Sequence, residues 1–225
     1  MLRAHRPLGG MVLLCNPLSA CLVGRAAPPR GGGGRRGLHD GGVITPGCDG
    51  EPPSASAWRK PEAGRLKLNF DGSSKLASRR ASIGGVYRDH EGAFVLGYAE
   101  RIGTATSSVA ELAALRRGLE LAMANGWRRV WVEGDAQAAV DAVRRGRPRR
   151  ARGRAEEDRR LRGEIADLLP LLDLDDMTVS HVRRAGNRVA HGFAQLGHGE
   201  ARPRVWRGAP PDEVLRLLQR DAEGK

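Results

Sequence analysis

The chain has 225 residues and a formal net charge of +12, a length that suits one domain with extensions better than two full domains. The charge makes a polyanion the first candidate partner, although the excess is nearly all Arg, with Lys only at 60, 67, 75 and 225, a bias that base composition of a gene can also produce. Cys15, Cys21 and Cys48 lie ahead of the patterned region without metal-ligand spacing, which argues against a disulfide framework or zinc site in the folded part, and the apolar stretch 11–24, broken by Asn16 and Pro17, is too short to span a bilayer.

Residues 1–57 carry four consecutive glycines at 31–34, several prolines and no acid before Asp40. Without a helical or strand period they bury too little apolar surface to offset the entropy of ordering. They are expected to be a disordered Arg/Gly-rich leader. Arg3, Arg6, Arg25, Arg30, Arg35 and Arg36 without acids also fit a transit peptide for a mitochondrion or chloroplast. Without import, the nucleus or cytoplasm remains. The patterned domain is expected over 58–200, followed by a tail over 201–225.

From Arg65 to Asp71 the residues alternate: Leu66, Leu68 and Phe70 face one way, and Lys67, Asn69 and Asp71 the other. That is a strand, closed by turn chemistry at 71–74. Second and third strands follow at 81–87 and 93–102, with a hairpin turn over 88–92, so the three form an antiparallel meander. The period then switches. Leu112, Leu115, Leu119, Ala122 and Met123 stripe a helix over 107–125, capped by Thr106 or Ser107 and stopped at Asn125-Gly126. A fourth strand over 128–133, helices over 136–145 and 156–169, a fifth strand over 177–182 and a closing helix over 187–196 complete the order β-β-β-α-β-α-α-β-α. The expected fold is α/β, a mixed five-stranded sheet with flanking helices.

Three acids stand where a metal site would want them. Asp71 ends the first strand, Asp135 follows the fourth, and Glu111 lies early in the long helix, about 70° from the centre of its apolar stripe. Grouped carboxylates repel, and keeping them together needs a cation. Hard oxygen ligands select Mg²⁺ or Mn²⁺, and two such ions about 4 Å apart could serve phosphodiester hydrolysis. Each acid alone could equally be a turn or cap residue.

The segments Asn69-Phe70-Asp71-Gly72-Ser73, Ile83 to Asp89, Ala110 to Leu115 and Val132-Glu133-Gly134-Asp135 resemble the RNase H-like domain abundant in plants, related to the RNase H region of non-LTR retrotransposon polyproteins. The lead-in with Trp58, Pro61, Gly64 and Lys67, and a trailing Trp206 with Pro210-Pro211, match as well. The resemblance covers residues 58–218. It implies a ribonuclease H-like fold and type 1 chemistry: metal-dependent cleavage of the RNA strand of an RNA–DNA hybrid. The chain is expected to be a monomer without a membrane segment. Carried over, Asp71, Glu111 and Asp135 match three catalytic, metal-binding carboxylates, and His181 matches a mobile histidine; a plain strand-end polar residue is the other account of His181. Asn187 opens the motif of the last helix and is expected at the nucleic acid. The sequence departs from the family at His191, where a fourth carboxylate belongs, and imidazole is a poor Mg²⁺ ligand. That leaves catalysis or a non-catalytic binding module, or a retrotransposon-derived remnant, as alternatives. Between two helices the run 144–154 offers Arg147, Arg149, Arg150, Arg152 and Arg154, matching a basic protrusion that grips the hybrid in some RNases H, or else forming a solvated insertion.

Overall fold

The computed structural model describes residues 58–144, 156–171 and 177–223. The leader 1–57 and Arg147, Arg149, Arg150, Arg152 and Arg154 lie outside the described residues. In chain order the elements are β1 (Leu66–Lys75), β2 (Arg80–Arg88), β3 (Phe94–Gly103), α1 (Ser107–Ala124), β4 (Val130–Gly134), α2 (Gln137–Arg144), α3 (Glu156–Leu168), β5 (Thr178–His181), α4 (Arg188–Gly197), β6 (Arg204–Arg207) and α5 (Asp212–Ala222). They build one mixed sheet in the order β5-β4-β1-β2-β3-β6. β1, β2, β3 and β6 pair antiparallel; β4 runs parallel to both β1 and β5.

Three expectations are corrected. The sheet has six strands rather than five, because Arg204–Arg207 adds to the free edge of β3. The fold also runs past residue 200: α5 seals the sheet face beyond α4, with Val214 fully buried, so 201–225 is not a mere tail. β1, too, does not stop at Asp71. It continues to Lys75 because β2 keeps pairing with it as far as Lys75↔Arg80. What stops at Phe70 is the parallel ladder to β4, so Asp71 is the first residue with a strand on one side only.

The two faces of β1 bury different chemistry. Leu68 and Phe70 join Leu112, Leu115 and Leu119 of α1 in the main apolar core. The Tyr87 and Tyr98 hydroxyls, on the neighbouring strands, donate to the Gly118 and Ala114 carbonyls of α1 at 2.7 Å each. The opposite face carries a smaller apolar cluster of Val86, Val189, Phe193 and Val214, and beside it a polar layer. There Lys67, fully buried, lies 2.7 Å from Glu133 and 3.8 Å over the Trp131 ring. Asn69 donates to Glu133 at 3.0 Å and accepts from Trp58 at 2.8 Å and from Arg88 at 3.1 Å. Arg88 in turn pairs with Asp221 of α5 at 2.8 Å. Groups this deep are tolerable only because each meets its partner. Trp131 thus belongs to this layer, and Trp127 packs against Tyr87 with ring centroids 4.8 Å apart.

Candidate active site

Two glycines let helices touch the sheet where the acids stand. A Cβ on Gly72 would overlap the α1 backbone at Ala110 and Glu111. Its absence brings Glu111 down beside Asp71. A Cβ on Gly84, the ladder partner of Asp71, would overlap α4 at Phe193 and Ala194, and close approach there sets His191 against Asp71. Thr106 caps α1, accepting from the Val109 amide at 3.3 Å.

Asp71, Glu111 and Asp135 converge, each offering a carboxylate oxygen within 4.8 Å of the others. Burial pushes the Glu111 carboxyl up to about 9, helped by the neighbouring charges of Asp71 and Asp135. Asp71 is raised as well, chiefly by burial, against the lowering effect of its hydrogen bond to His191. Glu111 Oε2 is buried and has no hydrogen-bond partner among the described residues. Three repelling carboxylates with an orphaned oxygen among them fit a hard divalent cation, and these residues could hold one.

The two histidines take different places. His191 Nδ1 lies 2.8 Å from Asp71 Oδ2, so position 191 belongs to the site. Its Nε2 faces two donors, Arg184 at 3.4 Å and Gln195 at 3.5 Å, which favours the tautomer whose Nδ1–H donates to Asp71. His181 ends β5, with Nε2 3.0 Å from the Asp135 carbonyl oxygen, exposed at the rim. Asp71 just past the β1–β4 ladder, Asp135 just past β4, and His181 as the last residue of β5 lie toward the carboxyl end of three adjacent parallel strands, where α/β sheets commonly place their ligands.

Asn187 joins β1 to Asp135. Its side chain is buried, and its amide donates to the Phe70 carbonyl at 2.9 Å and to Asp135 Oδ1 at 3.1 Å. In this way it steers Asp135 and ties α4 to the end of the β1–β4 ladder, while its Oδ1, also buried, has no hydrogen-bond partner among the described residues. Gln195 and Arg184, which no motif in the sequence singles out, line the same open cavity of about 320 Å³ as Asp71, Glu111 and His191. Spacing is the one local signal for Gln195: it falls four residues after His191, one helical turn on.

The model of the Reverse transcriptase-like family matches residues 69–197, a span that includes all three acids and both histidines. The chain belongs to the Reverse transcriptase-like family. A ribonuclease HI of Halobacterium salinarum is 33% identical over 147 residues, covering 64% of this chain and 70% of that protein. The solved RNase H1 of the same archaeon superposes with a TM-score of 0.53 at 29% identity, covering 61% of this chain and 100% of that one. An Arabidopsis thaliana protein named as a ribonuclease H protein is 28% identical over 197 residues, 83% of this chain. The chain spans 29% of that relative's length. In this Reverse transcriptase-like chain, β6 and α5 lie beyond the family match. Among the described residues no helix is long and apolar enough to cross a membrane.

Proposed function

We propose that the chain is a type 1 ribonuclease H, an endoribonuclease that hydrolyses the RNA strand of an RNA–DNA hybrid. The observation that carries this reading is the convergence of Asp71, Glu111 and Asp135 around the orphaned Glu111 oxygen, in a family whose relatives are named ribonucleases H. The three carboxylates would hold two Mg²⁺ or Mn²⁺ ions, which when bound activate a water and stabilise the leaving oxygen of a phosphodiester. The chain's own residues do the rest. Asn187 orients Asp135, His191 orients Asp71, and His181 at the rim offers an imidazole for proton exchange with the leaving strand. Outside the described residues, Arg147, Arg149, Arg150, Arg152 and Arg154 supply phosphate contacts without sequence preference, and residues 1–57 direct import into a mitochondrion or chloroplast, a reading tested by fusing them to a fluorescent protein and imaging it.

A labelled RNA–DNA hybrid incubated with the purified chain and Mg²⁺ or Mn²⁺ should be cut. Asp71→Asn should abolish cutting while the circular dichroism spectrum stays unchanged. Undiminished cutting by that variant would remove the three acids from catalysis.

His191 in the site favours a second reading, a binding module weak in catalysis. Imidazole beside Asp71 supplies no oxygen ligand, and Mn²⁺ accepts nitrogen more readily than Mg²⁺. Cutting should therefore be faster in Mn²⁺ than in Mg²⁺, and His191→Asp should raise the Mg²⁺ rate. A fall in both metals would mean that the imidazole itself works as acid and base; binding without cutting, by wild type and variant alike, would select the module.

A further inference from the structure

Beyond Asp71 the outer half of β1 changes character. Ser73 and Lys75 share Asp71's face; their ladder partners on β2 are Ser82 and Arg80, and one strand further Ser82 pairs with Arg101. Lys75, Arg80 and Arg101 thus come to one face from three neighbouring strands, and all are exposed. They share a field: His198, at the end of α4, is held below the usual histidine range first by burial, then by Lys75, Arg101 and Arg80.

Among the described residues these cations also have no carboxylate partner. Arg116, Arg160 and Arg204 pair with glutamates elsewhere on the surface. Among the described residues, by contrast, neither Lys75 nor Arg80 has an acidic partner, and Arg101 donates only to the His198 carbonyl, at 3.0 Å. Ser73 connects the patch to the acids. Its hydroxyl accepts from the Gln195 amide at 3.0 Å and lies 2.9 Å from His198 Nε2. The cavity that begins at Asp71 and Glu111 runs on past Ser73, Ser74 and Lys75.

We propose that Lys75, Arg80 and Arg101, with the Ser73 hydroxyl at their head, bind the phosphodiester backbone of the strand being cut, a few nucleotides from the scissile phosphate. The proposal rests on the hybrid-nuclease reading above and gives that reading a binding track within the described residues. Four residues of strand separate Asp71 from Lys75, about 13 Å, which matches the axial rise of about four nucleotides. Unpaired, exposed cations suit this task because they hold phosphates without reading bases.

The full chain carrying Lys75→Ala, Arg80→Ala and Arg101→Ala is titrated with a fluorescein-labelled RNA–DNA hybrid in EDTA across a salt series. Wild type and a control with Arg202→Ala, Arg216→Ala and Arg220→Ala are run beside it. The plot of log affinity against log salt should flatten by about two to three for the triple variant, roughly 0.9 for each phosphate no longer neutralised, while the control stays parallel to wild type. Lys75→Ala alone should flatten it by about one, which keeps the test open should the triple variant fold poorly. A slope equal to wild type's, or an equal flattening in the control, overturns the track and leaves the nuclease reading standing if wild type still cuts the hybrid. If wild type neither binds nor cuts, both fall together.

Discussion

Glu111 is the residue on which the cost of the acidic cluster concentrates. Its carboxyl, raised from 4.5 to about 9 by burial and by Asp71 and Asp135, keeps its proton in the folded chain at a pH where the unfolded chain has released it. Below about pH 4.5 both states hold the proton. Between there and about pH 9 the unfolded state binds fewer protons, so without metal the folded state loses stability as pH rises. Melting curves in EDTA should show the transition temperature falling through this window, and Glu111→Gln should flatten that fall. Adding Mg²⁺ at pH 8 should raise the wild-type transition more than that of Glu111→Gln, since ligand binding to the native state stabilises it. Equal pH slopes in wild type and variant would show that Glu111 ionises normally.

At the scale of elements, the close fit of helix on sheet depends on missing side chains. Gly84→Ala would push α4 off β2 at Ala194 and should destabilise the fold by roughly 1–3 kcal/mol, shifting His191 away from Asp71 as it does so. Gly163 makes a useful counterpart: it lies within α3, and a Cβ there would meet nothing within 4 Å. Gly163→Ala should stabilise by roughly 0.5–1 kcal/mol. Urea titrations of the two variants check both signs at once. Strand and helix positions were legible because period and caps are local: Leu112, Leu115 and Leu119 announce α1, and Asn125-Gly126 announces its end. The site was legible through Asp71, Glu111 and Asp135, whose order and spacing match a family pattern. The buried role of Asn187 was not, because its partners Phe70 and Asp135 are 117 and 52 residues away. β6 escaped because four residues with an arginine at each end carry too little pattern. For α5 the signals were present, with Pro211 before Asp212 and Glu213, and Val214, Leu217 and Leu218 on one stripe.

For the molecule as a whole, the carboxyl-terminal elements decide whether the second face of the sheet is closed. A chain ended at residue 200 would uncover Val86 and Phe193, leave β3 as a raw edge, and strand the buried Arg88 charge without Asp221. Removing one partner of a buried pair costs about 3–5 kcal/mol, a large part of the stability of a domain this size. The truncated protein should aggregate or bind a hydrophobic dye, and Asp221→Ala in the full chain should lower the urea midpoint markedly. A truncated chain with an unchanged midpoint would return 201–225 to the status of a tail.

The forking of β1 at Asp71 sets where motion begins. Up to Phe70 the strand is hydrogen-bonded on both sides, to β2 and β4; from Asp71 onward only β2 holds it. In hydrogen–deuterium exchange, the amides of 66–70 should open only with global unfolding, whereas those of 73–75 should exchange through a smaller, local opening. Asp71 marks the border between the two regimes, so its carboxylate is anchored from behind by the slowest part of the chain and faces substrate from a part that can yield. Hybrid binding along Lys75 should then slow exchange at 73–75 and leave 66–70 untouched.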